Sequence, residues 1–363
     1  MKALVSGGRT GGHLIPGIAI YEELRSRKIE TKYVMSQFDL KFPITTRVNE
    51  IDRILLDIKN ISRKLSLKTP VYILKILRTF FYVFKIIKKY NPDLIIMTGG
   101  YISNPVALSA VLLRKPLFIA EQNSVSGITN RMFAGFARKI FTSFPNTGRI
   151  PQKKTILTGN PSIFKKISDQ KTARAFFNLD HCDKIIGITG GSQGASKIND
   201  SIIDLLPYID QEKIGLIWSI GAVDYNRLQS LGILDKITKN YNNVRLFQFI
   251  ERMDLFFSSI DMVISRAGAT SIAEFINFTM PSILIPIKNS PDNHQYLNAL
   301  YLSQIHAARI VTEDELSEEN LKNCILDIYH NLKDYQTPIA KLKTTLYQEK
   351  PEKKIIDFIL NQK

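Results

Sequence analysis

The sequence predicts an α/β fold: two doubly wound, parallel-sheet, Rossmann-like domains facing each other across a cleft. Three observations lead there. The chain has 363 residues, room for about two domains of ordinary size. Short apolar runs alternate with longer helical stretches in both halves, which is the βαβα pattern of parallel sheets. Three of those runs end in a glycine pair: Ala3–Ser6 before Gly7-Gly8, Leu94–Thr98 before Gly99-Gly100, and Ile185–Thr189 before Gly190-Gly191. A strand, a glycine turn and a helix start together present free backbone N–H groups to an anion, and glycine lets the main chain approach it without a Cβ.

Taken in order, residues 2–6 read as a buried strand and Gly7-Gly8-Arg9-Thr10-Gly11-Gly12 as its loop. His13 then falls at a helix N-terminus beside an anion site, where an imidazole can accept a proton. Residues 63–90 carry eight Lys and Arg and no acidic residue. At about 100° per residue, Lys75, Arg78, Tyr82, Lys85 and Lys89 form one stripe on a helix that is apolar, with Phe81, almost everywhere else. Basic side chains beside apolar ones that no sheet can cover suit an anionic bilayer surface. No nucleic-acid motif accompanies them, so nucleic acid is not an expected partner.

Residues 93–98 and 116–120 read as further strands. The first leads to Gly99-Gly100-Tyr101 and the second to Glu121-Gln122-Asn123, at carboxyl ends where ligand groups collect. Thr158-Gly159-Asn160-Pro161 marks a hinge. The charge changes there too. Residues 1–161 hold 26 of the 49 Lys and Arg but 9 of the 33 Asp and Glu, so the net +16 sits on the first half. Such asymmetry points to an anionic partner for that half.

The second half starts with a strand at 184–189, the loop Gly190–Ala195 containing Ser192, and a helix from near Lys197. Strands follow at 215–220 and 244–247, the latter leading to Phe249-Ile250, whose backbone can meet a planar base. Another strand, 261–265, opens onto Arg266–Ser271 and a helix expected from near Ile272, with Glu274 in its first turn. An acidic residue there either complements the helix dipole or accepts from ribose hydroxyls. A last strand, 281–286, precedes the polar loop Asp292-Asn293-His294-Gln295. Cys182 and Cys324 form no disulfide framework, and no run of about 18 uncharged apolar residues reads as a membrane span. No secretory signal is expected at the start.

These stretches resemble the MurG family of bacterial cell-wall N-acetylglucosaminyltransferases. Gly7–Gly17, Gly99–Pro105, Glu121–Asn123, Gly159–Pro161, Gly190–Ala195, Ser265–Glu274 and Asp292–Ala299 follow the family's order. The resemblance implies a GT-B glycosyltransferase without cofactor or metal. It would move GlcNAc from UDP-GlcNAc to the 4-hydroxyl of MurNAc in lipid I, giving lipid II with inversion. It implies a peripheral enzyme on the cytoplasmic face of the inner membrane, with other cell-wall synthesis proteins as further partners. The acceptor and membrane domain would be residues 1–161 plus a C-terminal helix at about 345–363, and the donor domain 162–344. His13 would be the base or an acceptor-orienting group. Thr10, Gly11, Gly12, Ser192, Ala269, Thr270 and Ser271 would bind the donor. Ile250 backbone would hold uracil, Glu274 the ribose, and Asn123 with Gln295 the GlcNAc. Gly8, Gly12, Gly100 and Tyr101 would take the acceptor diphosphate, and Lys75, Arg78, Phe81, Lys85 and Lys89 the membrane.

Two positions depart from the family pattern. Ser162 and Ile163 follow Gly159-Asn160-Pro161 where the family commonly has an Arg, and His294-Gln295 stands where it tends to pair two Gln. Four other readings compete, and one of them, a non-catalytic membrane-binding protein, would account for 63–90 but leave three glycine loops idle. A GT-B transferase with another lipid acceptor would use the same basic segment. A UDP-sugar epimerase of the same fold would need paired carboxylates, for which the sequence offers no strong candidates. An NAD-type oxidoreductase would need a dinucleotide fingerprint, and the 7–12 loop has the wrong spacing even though Glu30 lies at a suitable distance.

Overall fold

The structure is a computed structural model that describes residues 1–57, 69–164, 169–191 and 194–362. The chain divides into two compact units. Unit 1 is Met1–Ile163 with Leu346–Lys363, and unit 2 is Phe164–Thr345.

Unit 1 is built on β1 (Lys2–Gly7), β2 (Glu30–Ser36), β3 (Arg53–Leu56), β4 (Leu94–Gly99), β5 (Leu117–Glu121), β6 (Lys139–Thr142) and β7 (Thr155–Leu157). They form one sheet in the order β3-β2-β1-β4-β5-β6-β7, and every pairing is parallel. The alternation of a strand decides which layer each side chain joins. Ala3 and Val5 of β1 face a core with α1 (Gly11–Ser26), while Leu4 faces the other core with α2 (Thr69–Tyr90) and α3 (Ser103–Leu112). The final helix, Pro351–Asn361, returns to the first layer and buries Ile355, Ile356 and Ile359 there.

Unit 2 repeats the plan with β8 (Ile185–Thr189), β9 (Gly215–Ser219), β10 (Val244–Phe247), β11 (Met262–Ser265), β12 (Ser282–Leu284) and β13 (Ala308–Ile310). Their order is β10-β9-β8-β11-β12-β13, again parallel throughout. The helix Ser196–Gln211 covers one face with Ile198, Ile202, Leu205 and Ile209, beside a fully buried Trp218. On the other face Gly187 lets Phe256 approach so closely that a Cβ would lie 2.6 Å from its ring.

Each sheet runs outward in both directions from its first strand. The order reverses between β1 and β4 in unit 1, and between β8 and β11 in unit 2. Loops leaving adjacent strands on either side of such a reversal diverge, and the crevice between them is where doubly wound folds take ligands. Both glycine loops of unit 1 leave that pair of strands. So do the two loops of unit 2 that precede helix starts.

One expected helix start moves. The helix after β11 spans Ala269–Phe278 and begins three residues before Ile272, with Gly268 in extended conformation at its N-cap. The apolar pattern becomes visible only at Ile272, but backbone hydrogen bonding starts as soon as Gly268 ends the extended chain. Ala269, Thr270 and Ser271 are therefore the first turn, whose N–H groups have no intrahelical partner. Glu274 lies in the second turn and is 3% exposed.

Candidate active site

In unit 1 the site is organised by one histidine. His13 is the third residue of α1. Its Nδ1 lies 2.8 Å from the Thr98 carbonyl at the end of β4 and 3.1 Å from Gln122 Oε1 just after β5. A carbonyl can only accept, so Nδ1 carries the hydrogen and a neutral ring leaves its lone pair on Nε2. Gln122 is buried, and its Nε2 donates to the Ala120 carbonyl at 2.8 Å, which turns Oε1 toward His13. Thr98 Oγ1 donates to the His13 carbonyl at 2.7 Å, closing the bond pattern from the other side.

The glycine turn after β4 packs on this ring. Gly100 has φ +76°, and a Cβ there would lie 3.0 Å from the Gly8 carbonyl and 3.2 Å from His13 Cδ2. Only glycine fits both the conformation and the space. The first loop is held from β2: buried Asp39 accepts the Arg9 N–H at 2.8 Å and the Ser36 N–H at 3.0 Å. Tyr101 is half-buried beside Ser36, Arg9 and Asp39, and burial raises its phenol above the ordinary range. Thr10 is exposed and its side chain does not cap α1.

The triplet after β5 is fixed by Glu121. Its buried carboxylate accepts from Asn123 N, Ser126 Oγ, Gly127 N and Asn130 Nδ2 at 2.8–3.0 Å. Asn123 is thus positioned by the residue two before it.

In unit 2 the loop after β8 carries Gly191 and Gly194 at positive φ and leads into the helix Ser196–Gln211. Ser192 lies outside the described residues. At Gly194 a Cβ would lie 2.6 Å from the Ile220 carbonyl just past β9, so the backbone approaches too closely there for any side chain. Buried Asp224 holds the helix start from below, accepting from Ser196 Oγ at 2.8 Å and from Asn199 Nδ2. Burial alone would raise the Asp224 carboxyl, but hydrogen bonds from Asn199, Ser196 and Arg227 outweigh it and keep it below its ordinary value. The neighbouring loop after β11 is tied to the same helix. Glu313 pairs with Arg266 at 2.7 Å and with Lys197 at 3.1 Å. Ile250 is buried and Phe249 is half exposed just past β10. Gln295 Oε1 accepts the Ile287 N–H at 3.1 Å, and His294 Nδ1 lies 2.7 Å from the Pro291 carbonyl.

Within unit 1 the fold thus gathers His13, Gly8, Gly12, Gly100 and Tyr101. Within unit 2 the turns that lead to Ser196 and to Ala269–Ser271 leave two adjacent parallel strands, β8 and β11. Gln122, Thr98, Asp39, Asp224 and Glu313 support these groups, and only side-chain geometry reveals them. Among the described residues, no three His, Cys, Asp or Glu side chains gather where they could share a metal ion.

Residues 3–142 match the glycosyltransferase family 28 N-terminal domain, and residues 185–357 match the family's C-terminal domain. A Natranaerobius thermophilus protein named UDP-N-acetylglucosamine–N-acetylmuramyl-(pentapeptide) pyrophosphoryl-undecaprenol N-acetylglucosamine transferase is 34% identical over 338 residues, 91% of this chain and 92% of its own. The protein of that name from a Sulfurihydrogenibium species is 31% identical over 361 residues, 99% and 98% of the two chains. The chain belongs to the MurG family. The crystal structure of Acinetobacter baumannii MurG has the same fold, with a TM-score of 0.72 at 24% identity over 99% of both chains. Its two-domain GT-B plan accounts for both sheets. Membership in the MurG family gives no support to an NAD-type oxidoreductase.

Proposed function

We propose that the chain is an inverting, metal-independent glycosyltransferase that moves GlcNAc from UDP-GlcNAc to the 4-hydroxyl of MurNAc in lipid I, giving lipid II. Family membership supports the reaction class. The observation that carries the mechanism is the His13 ring, held by Thr98 and Gln122 with Nε2 left to accept, beside two glycine loops at a sheet reversal.

His13 Nε2 takes the proton of the acceptor hydroxyl. The oxygen attacks the anomeric carbon on the face opposite UDP, the bond from that carbon to the diphosphate oxygen breaks, and the configuration inverts. Negative charge grows on the departing diphosphate. The first-turn N–H groups of Ala269, Thr270 and Ser271 and the start of the helix at Ser196, with Ser192 before it, are suited to stabilise it. Glu274 is a carboxylate for the ribose hydroxyls, Ile250 offers backbone to uracil, and Gln295 and Asn123 offer amides to the sugar. Thr10, Gly11 and Gly12 belong to donor binding. Gly8, Gly12, Gly100 and Tyr101 receive the acceptor diphosphate. In this reading unit 1 takes the acceptor and unit 2 supplies most of the donor contacts.

The experiment is transfer from UDP-GlcNAc to a short-chain lipid I analogue in EDTA. Disaccharide product is expected. Folded protein that makes none, with or without divalent cations, counts against the whole reading. Product only when a cation is restored removes metal independence alone.

Membrane binding is a second part of the proposal. Lys75, Arg78, Lys85 and Lys89 of α2 are all exposed, and so are Leu74, Leu77 and Phe81, at 53%, 47% and 58%. Val83 and Ile87 hold the helix to the core. Neighbouring α3 adds exposed Leu108 and Leu112. Apolar side chains left in the open beside cations fit a peripheral enzyme on an anionic bilayer, at the cytoplasmic face of the inner membrane. No helix among the described residues is long and apolar enough to cross a membrane. Each basic residue near an anionic surface contributes about 1 kcal/mol, so replacing Lys75, Arg78, Lys85 and Lys89 by Ser should weaken binding to anionic vesicles by roughly a hundredfold or more. Turnover of a water-soluble acceptor should persist. Unchanged vesicle binding would remove α2 from the membrane face.

A further inference from the structure

Arg9 occupies the loop between β1 and α1 with φ +77°. That is the left-handed region, which a bulky side chain enters only against steric strain. Glycines flank it at 7, 8, 11 and 12, and a glycine at position 9 would take the same backbone freely. The protein keeps an arginine there and fastens it. The Arg9 N–H is bonded to buried Asp39. The guanidinium carbon lies 3.7 Å from the centroid of the Phe38 ring, and Lys41 Nζ lies 3.5 Å from the same centroid. Phe38 is 41% exposed, on the short turn Gln37–Lys41.

Two cations therefore share one ring at the rim of the loop. Among the described residues, neither head group has an ion pair or hydrogen bond. Asp39, which accepts the N–H groups of Arg9 and Ser36, feels the charge of Arg9 and Lys41 but forms no ion pair with either head group. Tyr101, on the glycine turn after β4, lies beside Arg9. A guanidinium fork matches the paired oxygens of a carboxylate or phosphate. Stacking on Phe38 fixes both side chains beforehand, so less entropy is lost when an anion arrives.

We propose that Arg9 and Lys41, braced on Phe38, form a binding site for an anionic group of the acceptor, a carboxylate or a phosphate. The assignment rests on unit 1 being the acceptor side.

Arg9→Gly is a clean probe, because glycine relaxes the backbone while deleting the cation. Arg9→Gly and Lys41→Gln are each tested in the full chain with two short-chain lipid I analogues, one bearing its peptide and one with the lactyl carboxyl capped as a neutral simple amide in its place. Turnover and equilibrium binding are both measured. For Arg9→Gly the acceptor KM should rise about tenfold, the loss of one charge-assisted contact, with kcat and the UDP-GlcNAc KM within about twofold. Its Tm should equal or exceed that of the wild type. A loss confined to the peptide-bearing acceptor identifies a carboxylate, and a loss with both identifies the diphosphate. Acceptor binding within twofold of wild type for both variants and both acceptors overturns the site. Weaker acceptor binding by the variants, in a protein that turns over neither acceptor, keeps the anion site and rejects the transferase reading.

Discussion

Replacing His13 with alanine is expected to lower kcat at least about a hundredfold, with the KM for UDP-GlcNAc nearly unchanged. The acceptor hydroxyl is a weak acid, and its proton must leave as the new glycosidic bond forms. General base catalysis by a positioned side chain is worth about 10²- to 10⁴-fold in rate. The position of His13 is dictated from Nδ1, where the Thr98 carbonyl and Gln122 Oε1 can only accept its hydrogen. Nε2 is then the only ring atom able to take a proton from the acceptor. Folding should survive, because the ring is partly exposed and α1 is held by Leu14, Ile18 and Ile20 in the core. Steady-state kinetics with a lipid I analogue measure the effect, and added imidazole should restore part of the rate. A near-normal rate takes the base role away from His13 and leaves it as an orienting group.

The sequence carried the sheets more clearly than the sites. β1, β4, β5, β8, β9 and β11 are central strands buried on both faces, so they appear as unbroken apolar runs. The edge strands β3, β7 and β13 have three or four residues each; Arg53 opens β3 and Arg309 breaks the middle of β13. β10 and β12 are as short, but in β12 an apolar run between two prolines, Pro281 and Pro286, made the strand legible. Glycine pairs announced the anion loops because their backbone demands are local. What supports those loops is not local. His13 meets Gln122 across 109 residues of sequence, and Arg9 meets Asp39 across 30. Asp39 and Asp224 look like ordinary solvated acids until the fold buries them against N–H and hydroxyl donors. Periodicity reports which face of an element is apolar, and it is silent about which polar groups two distant turns will share.

Glu121 shows what such a shared group is worth. The triplet Glu121-Gln122-Asn123 reads from sequence either as ligand contacts or as plain loop chemistry, and the structure gives its members different work. Glu121 is 1% exposed and receives hydrogen bonds from Asn123 N, Ser126 Oγ, Gly127 N and Asn130 Nδ2. It faces the protein, while the next residue, Gln122, turns its side-chain oxygen to His13 at 3.1 Å. Truncation to alanine strands several of those donors, and each unsatisfied buried group costs about 1–3 kcal/mol. Partial relaxation of the 122–130 loop limits the total to roughly 3–5 kcal/mol. For a unit of this size that corresponds to a fall of roughly 10 °C in the melting temperature. Glu121→Gln is the sharper test. It keeps the volume and one acceptor oxygen, but its amide nitrogen turns a donor toward groups that are themselves donors. It should therefore also destabilise, by less than alanine, and lower turnover at least tenfold through a displaced Gln122 and Asn123, at temperatures where the variant is fully folded. Calorimetry and kinetics below the melting range separate the two effects. Two variants that melt within about 2 °C of the wild type would mean that the carboxylate does not order the loop. A stability loss without a rate loss would mean that the loop it orders is not part of the site.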